Sequence, residues 1–145
     1  MYNRLAVFGG IVGLILVYVF QLQLFYDPFQ VIIPNNVADL NLEINTSAYI
    51  LSKVLRYILN DGFALLLIWG LFGNKRYMRF AMLVFLLGLV VLLPLYLVLT
   101  LHYYASAYAF LNHLHRLVLN PVLMMLLIPA FYYQRRSTNN LVEHK

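Results

Sequence analysis

The side chains able to do chemistry are few, and several lie in apolar surroundings. Ten Lys and Arg and five Asp and Glu are spread over 145 residues. Four fall within long apolar runs: Lys53 at the edge of one, and Arg56, Asp61 and Arg116 further in. A charge at the centre of a membrane helix costs roughly 2.5–3.5 kcal/mol on insertion scales, so such groups face a bundle interior and find partners. Arg56 and Asn60 are four apart and share a helix face. Arg116 and Asn120 repeat that spacing, with Asn112 one turn further out. Asp61 is the only acid in any of the apolar runs; His113 and His115 flank the second Arg-Asn face, and His102 ends the preceding run. Arg56, Asn60, Asp61, His113, His115, Arg116 and Asn120 therefore form a candidate intramembrane polar cluster. Its simplest arrangement pairs Asp61 with Arg116 across two helices, with the asparagines bridging.

The chemistry open to this set is narrow. A zinc site asks for His-x-x-x-His with a carboxylate. His113-x-His115 instead sends two side chains about 200° apart around a helix. Within the long apolar runs no Ser stands beside a His in helical register, and the absence of Cys excludes thiolate ligands, disulfides and a cysteine nucleophile. No metal, cofactor or catalytic residue is expected, and the chain is read as not an enzyme. Three roles stay open for the cluster: structural glue between helices, a surface buried against a membrane partner, or a proton or solute path around Asp61, which would need an oligomer.

The elements that position these residues follow from composition. Hydrophobic residues make up 63% of the chain and charged ones 10%, against roughly 45–50% and about 25% in soluble domains. The excess apolar surface requires lipid as its solvent. Four runs reach the ~20 residues that span a bilayer: 5–25, 52–72, 80–101 and 112–133. They lack the alternation of barrel strands. The expected fold is an all-α integral membrane four-helix bundle in a single domain, residues 1–136, with a disordered cytoplasmic tail over 137–145. The first run reads as an uncleaved anchor, because Gln21-Leu22-Gln23 is no small-residue cleavage site.

Orientation follows the Lys/Arg count. Arg4, Lys75, Arg76, Arg79, Arg135, Arg136 and Lys145 lie on one side, and Lys53, Arg56 and Arg116 toward the other. Both termini are therefore expected in the cytoplasm, and the polar cluster in the outer half of the membrane. The net charge of +5 is thus a topology signal, and no nucleic-acid partner is expected. The outer loop, 26–51, opens with the interface motif Phe25-Tyr26-Asp27-Pro28-Phe29, where aromatics suit the membrane surface and Asp-Pro favours a turn. It also holds the glycosylation sequon Asn45-Thr46-Ser47, a weak motif. Tyr26, Tyr49, Tyr103, Tyr104 and Tyr108 form the outer aromatic belt, and Tyr77, Tyr132 and Tyr133 the inner one.

Shifting the chain by 60 residues superposes Arg56 on Arg116, Asn60 on Asn120 and Arg76 on Arg136, along with several leucines. This reads as two parallel helical hairpins. Pro94, Pro121 and Pro129 lie inside spans, where each removes a backbone donor. Pro121 would place a kink beside the cluster and free the carbonyl of Leu117.

Three stretches in order, Leu24-Phe25-Tyr26-Asp27-Pro28-Phe29, Arg56-Tyr57-Ile58-Leu59-Asn60, and Arg116 through Asn120-Pro121 to Ile128-Pro129-Ala130-Phe131-Tyr132-Tyr133-Gln134, resemble the flavobacterial exosortase F system-associated membrane proteins. The resemblance covers nearly the whole chain. It implies a small multi-pass protein of the bacterial inner membrane that accompanies an exosortase, a sorting enzyme that uses Cys, Arg and His. A chain without Cys fits the non-catalytic accessory. The resemblance carries no catalytic residues to this sequence and no expectation of an acid at Asp61. Two alternatives stand beside it: a small oligomeric transporter or proton-coupled channel using Asp61, and a structural membrane scaffold.

Overall fold

The structure, a computed structural model, describes residues 3–25, 45–102 and 108–143. All the regular elements among them are helical: α1 (Arg4–Leu24), α2 (Thr46–Phe72), α3 (Lys75–Leu87), a π-helical turn (Gly88–Leu92), α4 (Leu93–His102), α5 (Tyr108–Leu119) and α6 (Val122–Glu143). Three helices are long and apolar enough to cross a membrane: α1, α2 and the continuous helix Lys75–His102. A fourth crossing requires that α5 and α6, bent by 59° at their break, be taken as one. The motif residues Tyr26, Asp27, Pro28 and Phe29, and the loop 26–44, lie outside the described residues; Phe25 is buried at the end of α1.

Asparagine starts three of the helices. The side-chain oxygens of Asn3, Asn45 and Asn74 accept from the backbone N–H of Ala6, Ala48 and Arg76 at 3.3, 3.2 and 2.9 Å, satisfying donors that a helix start leaves unpaired. The Asn-Thr-Ser sequon is thus the opening of α2, which begins at Thr46 and not near Ser52. Seven residues expected in the outer loop, from 45 to 51, belong to the helix or its cap. α2 stops at Gly73, whose φ of 56° is left-handed, a conformation glycine adopts without penalty. The far end of α6 also departs from expectation. The helix continues through residues 137–143, where the sequence suggests a disordered tail.

α2 is the hub. It packs against α1, α3, α5 and α6, and Tyr49 at its start reaches Tyr96 of α4. Its seam with α1 is built by glycine. A Cβ on Gly10 would lie 3.0 Å from the backbone of Phe63 and Leu67, and one on Gly70 would lie 2.8 Å from Val7. The backbones can approach only because those side chains are missing, the small-residue packing familiar in membrane helices. The Asn3 N–H, donating to the Gly70 carbonyl at 3.0 Å, fixes the register of this pair.

Two apolar clusters fill the interior. One joins Tyr57 of α2 to Leu93 and Leu97 of α4 and to Leu111, Leu114 and Val118 of α5. The other joins Ala64 and Ile68 of α2 to Ala81 of α3 and to Met124 and Phe131 of α6. Phe8, Ile15, Val19, Leu83, Val90 and Leu126 point outward, a surface that lipid would solvate. Arg4, Lys75, Arg76, Arg79, Arg135 and Arg136 collect at one end of the bundle, the basic end, brought together by the Asn3–Gly70 bond and by the Tyr77 ring stacked on Phe131 at 4.7 Å. His102, His113 and His115 mark the opposite, histidine end.

Candidate functional site

The candidate cluster divides into three groups. The first is a groove of about 340 Å3 bounded by α1, α2 and the α5–α6 break. Its polar lining is Gln21, Arg56, Asn60 and Asn120, and Pro121 and Met125 close one side. Arg56 and Asn60, one turn apart on one face of the hub helix, are both buried. Arg56 Nη2 donates to Gln21 Oε1 at 2.7 Å. This amide comes from the last turn of α1, the polar position in that helix that faces α2.

The break supplies the other wall. Proline at 121 has no N–H to continue the helix bonding, and here the helix breaks. Among the bonds that close the corner, Val122 N–H donates to Asn120 O at 2.7 Å and Met125 N–H to Pro121 O at 2.8 Å. The Leu119 carbonyl, left at the end of α5, accepts from Asn60 Nδ2 at 2.7 Å. A polar side chain therefore serves the broken helix at the carbonyl of Leu119, and the donor comes from another helix. Breaks in membrane helices are tolerated where such partners exist.

The second group surrounds Tyr57 and Asp61, on another face of α2. Tyr57 lies over Phe85 with ring centroids 5.6 Å apart and donates from its hydroxyl to the Phe85 carbonyl at 2.8 Å. A Cβ on Gly88 would collide with that hydroxyl, so the glycine makes room for it. The π-helical turn from Gly88 to Leu92 ends with Leu93 N–H donating to Gly88 O, directly before Pro94. The widened turn absorbs the proline without breaking the helix. Asp61 is 5% exposed, one turn on from Tyr57, and does not line the groove. The expected Asp61–Arg116 ion pair is absent: Arg116 is exposed on α5. Leu111, Leu114 and Val118 turn one face of α5 to the core, and Arg116 falls on the other.

The third group goes beyond the sequence expectation. The Tyr96 hydroxyl stands 2.9 Å from His115 Nδ1 and 3.4 Å from the Tyr49 hydroxyl. Thr100 caps the arrangement by donating to the Tyr96 carbonyl at 2.8 Å. Lys53, fully buried, places its ammonium 5.1 Å from the centre of the Tyr49 ring, close enough for a cation–π contact. Tyr49 is completely buried and is not a belt residue. The Tyr49-x-x-x-Lys53 spacing is the available signal, since it puts both on one face of α2. His113 takes no part. It is exposed, and its Nδ1 donates to the Ala109 carbonyl of its own helix at 2.7 Å. The two histidines diverge, and among the described residues no group of three His, Cys, Asp or Glu could hold a metal.

Of the seven expected residues, the fold brings Arg56, Asn60 and Asn120 together and adds Gln21. The groove lining contains no thiol, serine or carboxylate. It offers a guanidinium and three amides in an apolar frame, which suits recognition of polar groups by hydrogen bonding. Comparison with known protein families, with characterised proteins and with solved structures finds no match to this chain.

Proposed function

We propose that this chain is a non-catalytic, multi-pass membrane partner of an exosortase-type sorting enzyme in the bacterial inner membrane. The groove between α1, α2 and the α5–α6 break receives a segment of that enzyme or of its substrate's C-terminal signal. The observation that carries this reading is the lateral groove itself, where Gln21, Arg56, Asn60 and Asn120 present hydrogen-bonding groups beside exposed apolar side chains such as Tyr18 and Met125. A passing helix or extended tail inside the membrane would find there both apolar contact and the polar partners that lipid withholds. The three-part sequence resemblance and the lack of Cys point to the accessory and not to the enzyme.

In this reading the chain crosses four times, with α5 and α6 as one broken span. Both termini are cytoplasmic, because the basic end collects most of the Lys and Arg. A transporter or channel built on Asp61 has less to support it, since Asp61 stands one turn from Tyr57 and away from the groove.

Affinity purification of the tagged chain from its native membranes in mild detergent tests the proposal. The exosortase-type enzyme is expected to co-purify, and Arg56→Ala with Asn60→Ala to release it while the variant still inserts. Normal sorting in cells lacking this chain, with no co-purification, would overturn it.

A further inference from the structure

The basic end carries a second pair of hollows, remote from the groove. One, of about 510 Å3, lies between the α2–α3 turn and α6, lined by Gly73, Asn74, Lys75, Tyr77 and Arg135. The other, of about 480 Å3, runs along Leu71, Ile128, Pro129, Tyr132 and Arg136. Phe72 borders both, so they adjoin. Each falls in the ~300–1,000 Å3 range of ligand sites. The first is polar and cationic; the second is mostly apolar and opens beside helix faces that lipid would solvate.

Lys75, Arg76, Arg79, Arg135 and Arg136 are all exposed, and none pairs with a carboxylate among the described residues. Topology alone requires cations on this side, but not that Lys75 and Arg135, from elements far apart in sequence, face one hollow. Their approach is held by the Tyr77 ring stacked on Phe131 at 4.7 Å and by Phe72 edge-on to both, at 5.5 and 5.6 Å. A rigid aromatic wall therefore separates a cationic hollow from an apolar channel, with one guanidinium in each.

We propose that the basic end binds an anionic phospholipid, its phosphate between Lys75 and Arg135 and an acyl chain in the channel past Phe72, Ile128 and Pro129. Charge complementarity selects the headgroup, and the adjoining channel selects a lipid over a free phosphate. Basic hollows between membrane helices at this depth recognise anionic headgroups by the same physics.

The single tryptophan, Trp69, reads the site. It is 47% exposed and stands one turn before Phe72 on α2. The full chain is reconstituted in phosphatidylcholine vesicles containing bromine-labelled phosphatidylglycerol or bromine-labelled phosphatidylcholine at equal mole fraction. Trp69 quenching is expected to reach half its maximum at a several-fold lower fraction of the anionic lipid. Lys75→Gln with Arg135→Gln should remove that several-fold preference, to which both cations contribute. Arg76→Gln with Arg79→Gln, the same change in net charge outside the hollow, should keep most of it. Circular dichroism confirms that each variant is folded, and native mass spectrometry of the wild-type chain should show one retained phosphatidylglycerol. Equal quenching by the two lipids in the wild type overturns the proposal. So does an equal loss in both double variants, which would mean attraction to surface charge without a site.

Discussion

Helix α2 and the bent pair α5–α6 carry the same Arg-x-x-x-Asn signature 60 residues apart, yet the two copies live differently. On α2, Arg56 and Asn60 are buried in an unbroken helix of 27 residues. On the other copy, Arg116 is exposed, Asn120 stands at a break, and the chain turns by 59°. One residue separates the outcomes. Asn60 is followed by Asp61, which can donate its N–H to the helix, and Asn120 by Pro121, which cannot. The intact copy then repairs the broken one, since Asn60 donates to the Leu119 carbonyl. The same polar pair thus serves as a donor on the rigid helix and as a hinge on the bent one.

The comparison can be broken most severely at the seam that holds α2 rigid. Gly70→Leu would drive a side chain into the Val7 backbone; overpacking of this kind costs about 1–3 kcal/mol and sometimes more. Denaturant titration in detergent should show a larger loss for this variant than for the three that follow. Next comes Asn60→Leu, which strips the Leu119 carbonyl of its donor at a buried site and should cost about 1–3 kcal/mol. Asn120→Leu should cost clearly less in the same titration, because no comparable bond to another helix depends on its side chain. If the two cost the same, the distinction between donor and hinge is lost.

Pro121→Ala should make the α5–α6 pair resemble the unbroken α2. Spin labels at Asn112 and Gln134 should move apart by about 5 Å as the bend straightens, at 1.5 Å rise per residue. The groove beside Asn120 would then close or change shape. The smallest effect belongs to Arg116→Gln, an exposed position, which should stay within about 0.5 kcal/mol of the parent in the same denaturant titration.

Much of this fold is legible in the sequence and some is not. The apolar runs announce the helices because lipid fixes a minimum length; the prolines announce disturbance but not its form, since the chain breaks at Pro121 and continues through Pro94 and Pro129. Helix ends are less visible. Ser52 and Lys53 look like residues at a loop border, but Asn45 caps a helix that carries both inward. Long-range pairing is the least visible. Asp61 and Arg116 are complementary in charge and invite pairing, but α5 packs through Leu111, Leu114 and Val118 and leaves Arg116 exposed. Gln21, one polar residue near the end of an apolar run, meets Arg56 only because Gly10 and Gly70 let α1 and α2 approach closely. Tyr49 looks like a belt residue because tyrosines commonly are; its burial depends on Tyr96, 47 residues away. Facing relationships of this kind are set by side chains that are absent as much as by those present.

The claim that the groove is where this chain meets its partner has a direct measurement. A photo-reactive side chain is placed at Tyr18 or Met125, on the groove, and at Leu83 or Val90, on the exposed faces of α3 and the π-helical turn. After irradiation of native membranes, covalent adducts to an exosortase-type enzyme or its sorted substrate are predicted from Tyr18 and Met125 and not from Leu83 or Val90. Adducts from Leu83 and Val90 alone, or equal yields from all four, would contradict it.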